Sequence, residues 1–411
     1  MKLARDVSMV GAGMTLFHHT AHADKSSREL FEEAVSESLS SVDSGIEIND
    51  IDALIIGNLS SDTFEHQSHV ACLAADWSGL RPKPSIRVEN ACASSGVAFQ
   101  MGVMAVASGM YETVMVGGVE KMTRLSTEAI TDALAMGVDN AYEYPAGLTN
   151  PGLYAMMAVA HFKRYGTCWE QLAAMAIKDH HNSSLNPKAQ FQSEVIDIAR
   201  KVGAKKGLTF NDPMDFLRSS ANPMIAYPLR LFDCCPISDG ASAAILTSSK
   251  MSKKLTDTPI KVAGIGQASD TMAFHDRSDL TSLKATVEAS RKAYQMAGIK
   301  PKDVDLAMVH DCFTSAELLA SEDLGFFEKG EGGKAAEEGR TGLDGDKPIN
   351  TDGGLKARGH PIGATGVAMI YEVWKQLRGE ADRRQVKDAE IGLTQNVGVT
   401  GGTVVIQILR R

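Results

Sequence analysis

The first half of this 411-residue chain carries an order of elements that the second half repeats, and the repetition limits the folds open to it. Residues 27–58, SRELFEEAVSESLSSVDSGIEINDIDALIIGN, read as a helix, a polar break and a strand that opens on an acidic residue. Residues 283–311, LKATVEASRKAYQMAGIKPKDVDLAMVHD, run through the same order. The next element recurs as well: GVAFQMGVMAVASG starts at Gly96 and GVAMIYEVWKQLRG at Gly366, each with a glycine 13 positions on, Gly109 and Gly379. Strand candidates follow both, YETVMVGG and EIGLTQNVG. Alternating helices and strands make this an α/β chain of packed layers. Two similar halves that pack in pseudo-twofold fashion bring equivalent helix ends face to face. Cys92 and His360, four and six residues before the two GVA segments, then share one central site.

Further strand candidates are VSMVGAG (7–13), AAILTS (243–248), IKVAGIG (260–266) and TVVIQIL (403–409). The halves divide at about 1–250 and 251–411. Residues 121–230, richer in loops and polar residues, interrupt the first half and read as an inserted loop domain that covers a substrate.

A formal net charge of -9 argues against a dedicated nucleic-acid binder. No stretch approaches the roughly 18 apolar residues of a membrane span, and MKLARDVSMVGAGMTLFHH lacks the apolar core of an export signal. The six cysteines, at 72, 92, 168, 234, 235 and 312, form no CxxC spacing. They read as reduced thiols in a cytoplasmic protein.

In RVENACASSGVAFQMG (87–102), a strand ends near Asn90 and small residues lead into a helix. A cysteine at a helix N-terminus meets free N–H groups and the positive end of the helix dipole, which favour the thiolate. The same N–H groups can hold the oxyanion formed when sulfur attacks a carbonyl, so Cys92 is a candidate acyl-transfer nucleophile. GLKARGHPIGATGVA (354–368) places His360 between glycine and proline in a stiff loop, as a candidate partner for that sulfur. VHDCFTSAELLA (309–320) adds His310 and Cys312, which an extended backbone would point the same way. Asp311 between them reads best as a turn or cap residue. No second half of a metal-ligand pattern accompanies this pair, so no metal is expected. The GIG at 264–266 is too weak a signal for a dinucleotide loop.

Taken together, NACASSG around Cys92, VGGVEKMT (116–123), PISDGASA (236–243) and GHPIGATG around His360 resemble the thiolase family, in its order and over nearly the whole chain. The resemblance implies two β-α-β-α-β-α-β-β halves in a five-layered α-β-α-β-α arrangement with an inserted loop domain. Many thiolases carry asparagine–glutamate–alanine–phenylalanine where this chain has His310-Asp311-Cys312-Phe313, and a second cysteine where it has Gln395-Asn396-Val397-Gly398. His-Asp-Cys-Phe is similar instead to sterol-carrier-protein-type and archaeal acetoacetyl-CoA thiolases, which makes Cys312 the second catalytic cysteine and leaves Asn396 without acid/base work. The implied function is acetyl-CoA C-acetyltransferase, forming acetoacetyl-CoA for the mevalonate route. A degradative or broad-specificity 3-ketoacyl-CoA thiolase is the nearest alternative. A ketoacyl-synthase-like condensing enzyme and a non-catalytic complex subunit are more distant ones.

By the same resemblance His310 and His360 hold the enolate oxygen, while backbone N–H groups at Cys92 and Gly398 hold the tetrahedral one. Ser238 and Gly240 line the coenzyme A route. The substrates are coenzyme A and acetyl-CoA, with no prosthetic group. The implied partners are further copies of the chain, as a homodimer or homotetramer, and a complex with hydroxymethylglutaryl-CoA synthase bridged by a small OB-fold protein with a zinc-ribbon segment.

Overall fold

The computed structural model describes residues 3–411. In the first half the strands are β1 (Val7–Met14), β2 (Ala53–Gly57), β3 (Ser85–Val88), β4 (Thr113–Glu120) and β5 (Gly240–Ser248). In the second they are β6 (Ile260–Ser269), β7 (Leu306–Val309), β8 (Ile391–Gly398) and β9 (Thr403–Arg410). Their hydrogen-bonded order is β3-β2-β4-β5-β1-β6-β9-β8-β7. The join between β1 and β6 consists of two residue pairs, Ser8 with Lys261 and Met9 with Ile260, so two half-sheets meet there at a narrow seam. Counted outward from the seam, each half runs first strand, last strand, penultimate strand, second strand. A parallel bridge from Ala307 to Ile349 stands beyond β7 where β3 stands beyond β2. The repeat read from the sequence is thus a repeat of topology.

The helices that matter for the site are α1 (Ser27–Ser40), α2 (Ser94–Ala107), α3 (Asn150–Tyr165), α4 (Trp169–Ser184), α5 (Lys284–Ala297), α6 (Thr314–Asp323) and α7 (Thr365–Arg378). α1 covers β1 and β5, α5 covers β6 and β9, and α2 and α7 pack on each other between the half-sheets. Five layers result. The outer helices come close because two glycine pairs leave notches. A Cβ on Gly11 or Gly13 would collide with backbone of α1, and one on Gly264 or Gly266 with backbone of α5. The GIG of 264–266 is therefore a packing notch, the counterpart of the GAG in β1. The two GVA glycines meet directly, since a Cβ on Gly366 would collide with the backbone nitrogen of Gly96. Nearly every side chain of α7 is buried, Trp374 among them, as expected of a helix walled in on both faces.

Strand limits match the sequence reading to within a few residues, the largest extensions being three residues each, at the start of β5 (Gly240) and the end of β6 (Ser269). The insertion contributes α3 and α4, which lie against α6 of the second half. It therefore bridges the halves while belonging in sequence to the first. Among the described residues no helix is long and apolar enough to cross a membrane.

Candidate active site

Cys92 sits on a sharp turn between β3 and α2. Ala91 has φ of +49°, left-handed backbone that costs an alanine about 1 kcal/mol or more. Ser94 holds the turn: its Oγ accepts from the Asn90 N–H at 2.9 Å and donates to the Ala91 carbonyl at 2.6 Å. Two backbone N–H groups face the sulfur, that of Cys92 itself and that of Val399. Val399 is the neighbour of Gly398, the residue expected to help hold the tetrahedral oxygen. It too is left-handed, with φ of +52°.

The expected thiolate is not what this environment favours. Burial outweighs the two N–H groups, and Glu120 and Glu89 add negative charge, so the Cys92 thiol is pushed up to about 11. The helix end behind it does not offset that desolvation. Cys92 therefore needs a base.

His360 is placed to be one. Its loop is clamped from the first half, where the buried Glu120 carboxylate accepts from the N–H groups of Gly363, Leu59 and Ser60 and from Asn58 Nδ2, at 2.8–3.1 Å. Its backbone N–H donates to Ser238 Oγ at 3.1 Å. Ser238 and Gly240, expected along the coenzyme route, are instead buried behind this loop, Gly240 against Phe17 and Pro361. The pocket wall is made by their neighbours Cys234, Cys235, Pro236 and Ile237. Asp311 sits in the turn before α6, its N–H donating to the Val309 carbonyl at 3.1 Å, and does not cap the helix. Its carboxylate accepts from the N–H groups of Leu355 and Lys356 at 2.7 and 3.2 Å, tying the His310–Cys312 segment to the His360 loop.

Hydrogen-bond inventory assigns the two imidazoles opposite tautomers. Thr365 spends its single hydroxyl proton on the Pro361 carbonyl, at 2.9 Å. His360 Nδ1, 2.6 Å from that hydroxyl oxygen, must then be the donor, which leaves Nε2 with a lone pair. Asn396 Nδ2 donates to the Cys92 carbonyl at 3.0 Å and to His310 Nδ1 at 3.1 Å. The carbonyl can only accept, so the amide orientation is settled and His310 carries its proton on Nε2. That Nε2 is buried and has no partner among the described residues.

The Cys92 sulfur and one nitrogen of each histidine all lie within 4.8 Å of one another. The rings stand edge to face, centroids 5.2 Å apart. Burial, with His310 and Arg358 adding positive character nearby, holds His360 well below the usual histidine range. Burial and Arg358 hold His310 at about 3. Both rings are neutral at physiological pH, one as acceptor and one as donor.

Cys92, His360 and Cys312 open onto one cavity of about 180 Å³. Although β7 ends at Val309 and a turn follows, Cys312 still reaches the site. It lies opposite Cys235, since Cys234 bridges Phe313 and the Cys235 N–H donates to the Cys312 carbonyl at 2.9 Å. Met122, Ile130, Leu134 and Ile362 make the apolar wall, and Asn150 and Tyr154 reach in from the insertion. Val399 and Tyr154 carry no motif signal, while Asn396 and Thr365 lie in motifs already singled out that do not reveal their bonds to the histidines.

The family model "Thiolase, N-terminal domain" matches residues 7–250 and "Thiolase C-terminal domain-like" matches 266–411. The chain is 48% identical to acetyl-CoA acetyltransferase of Methanothermobacter thermautotrophicus over 99% of its length and 100% of that protein. It is 41% identical to the same-named protein of Methanocaldococcus jannaschii, covering 98% and 99%. With sterol carrier protein 2 of Homo sapiens it shares 32% identity over 99% of this chain and 72% of that one. Among solved structures, a chain of the Ltp2-ChsH2(DUF35) aldolase superposes with a TM-score of 0.81 at 24% identity, covering 99% and 98%. That last likeness speaks for the fold. The two family models and the full-length relatives together show that the chain belongs to the thiolase family.

Proposed function

We propose that the protein is an acetyl-CoA C-acetyltransferase, joining two acetyl-CoA into acetoacetyl-CoA and coenzyme A. The observation that carries this reading is the convergence of the Cys92 sulfur with an acceptor imidazole and a donor imidazole, beside a second thiol. The full-length relatives bearing that name support the choice of substrate.

In the first half-reaction His360 Nε2 takes the Cys92 proton as the sulfur attacks the thioester carbonyl. The tetrahedral oxygen is held by the N–H groups of Cys92 and Val399. Cys312 gives its proton to the departing coenzyme A thiolate, leaving an acetyl-cysteine, a Cys312 thiolate and an imidazolium. Opposite charges in a desolvated site stabilise one another. In the second half-reaction the Cys312 thiolate removes a methyl proton from a second acetyl-CoA. The enolate oxygen takes the His310 Nε2 proton as its hydrogen-bond donor, with the now protonated His360 beside it. The enolate carbon attacks the acetyl group, the Cys92–carbonyl bond breaks, and His360 returns its proton to Cys92. Protons and electron pairs balance over the cycle.

In this reading the halves 1–250 and 251–411 each supply part of the chemistry, and the 121–230 insertion covers the acyl-CoA. The product suits the mevalonate route in the cytoplasm. The working form is an oligomer of this chain, in complex with hydroxymethylglutaryl-CoA synthase and an OB-fold zinc-ribbon protein. A chain-length series of 3-ketoacyl-CoA substrates in the cleavage direction tests the substrate. Acetoacetyl-CoA is expected to be cleaved with the highest kcat/KM; a maximum at longer chains would favour the broad-specificity thiolase instead. Cys312→Ala is expected to acetylate Cys92 while losing condensation by about 10²-fold or more.

A further inference from the structure

Tyr154 takes no part in the scheme above, yet it touches the surroundings of both reactive sulfurs. It comes from α3 of the insertion, is 1% exposed, and lies ring to ring with Phe313 at a centroid distance of 4.9 Å. Its hydroxyl donates to the Val399 carbonyl at 2.7 Å. Val399 is the β-branched residue held left-handed, a conformation that persists only where the surroundings over-determine it. Its N–H is one of the two that face the Cys92 sulfur. Tyr154 and Cys312 also line the same cavity, and each raises or lowers the other's proton affinity as a close neighbour. A phenol has one proton and two lone pairs. With the proton committed to Val399, the oxygen can accept from the Cys312 thiol; once Cys312 is a thiolate, the hydroxyl can turn and donate to it.

We propose that Tyr154 is a positioning residue for both half-reactions. Through Val399 it keeps a backbone N–H on the Cys92 sulfur, and through its oxygen it steadies Cys312 in whichever protonation state the step requires. The inserted region thereby becomes part of the machinery as well as its cover. This inference rests on the acyl-transfer reading, so its test includes measurements that need no turnover.

Tyr154→Phe keeps the ring stack and removes only the hydroxyl. Acetylation of Cys92 by acetyl-CoA, followed by intact mass, is expected to slow at least tenfold. The iodoacetamide pH profile of Cys312, resolved by peptide mass spectrometry, is expected to move to higher pH. The other titratable groups around that thiol, Cys92, Cys235 and Asp311, stay in place in this variant. In a Val399→Gly background, where left-handed backbone carries no strain, the same substitution is expected to slow acetylation less than threefold. Equal losses in the two backgrounds together with an unmoved Cys312 profile, or parent-like rates in Tyr154→Phe, would overturn the proposal. Should Tyr154→Phe not fold, 3,5-difluorotyrosine at 154 keeps the shape and strengthens the donor. It is then expected to move the Cys312 profile to lower pH, and an unchanged profile counts against the role. A parent protein that alkylates as described but never acetylates Cys92 would instead refute the thiolase reading itself.

Discussion

Two neutral imidazoles divide the work at Cys92, and the division is made by neighbours with no reactivity of their own. Thr365 leaves His360 Nε2 free to accept, and Asn396 obliges His310 Nε2 to donate. Replacing Asn396 with aspartate substitutes an acceptor for a donor, turns the His310 tautomer over and removes the donor at the enolate oxygen. Asn396→Asp is expected to lower the condensation rate by about 10²–10³-fold, read as acetoacetyl-CoA formed per minute. The raised Cys92 thiol makes a second prediction. Since only thiolate alkylates, the iodoacetamide rate at Cys92 in the free protein should climb about tenfold per pH unit from 7 to 10. A plateau near pH 8 would show a thiolate–imidazolium pair already formed.

At the scale of elements, the crossing of α2 and α7 sets the distance between the two catalytic loops. Gly96 and Gly366 permit that crossing because backbone meets backbone with no side chain between. Gly366→Ala places a methyl group against a rigid main chain that cannot rotate away. It is expected to cost about 2 kcal/mol or more of stability, measured by urea unfolding, and to lower activity by separating Cys92 from His360. The polar break and the strand after each outer helix were readable because hydrophobic periodicity is local. The GIG of β6 was readable as a pattern but not in its use, since a glycine that admits a helix looks the same in sequence as one that admits a phosphate.

Across the whole molecule, the His360 loop of the second half is held by a carboxylate of the first. Burial raises Glu120 to about 7, while four donors converge on its charged form. Below that pH the carboxyl gains a proton, loses acceptor capacity and loosens the loop. kcat/KM is therefore expected to fall on the acid side with a midpoint near 7. His360 cannot be the source of that limb, because burial keeps it neutral to far lower pH. Asp311, which burial also raises to about 7, ties the same loop. Glu120→Gln should lower activity at pH 8 and flatten the acid limb, whereas an unchanged limb would assign it to Asp311.

The amino-acid sequence alone determined the α/β repeat, the family and the four side chains that converge, because periodicity, glycine placement and motif order are written in neighbouring residues. Only the tertiary structure decided their states: that burial favours the Cys92 thiol, that the histidines are opposite tautomers, that a Val399 N–H faces the Cys92 sulfur, and that Ser238 and Gly240 stand behind the site. Proton affinity and hydrogen-bond direction depend on what lies within a few ångströms in space, and here those neighbours range from Thr365, five residues from His360, to Val399, some three hundred from Cys92.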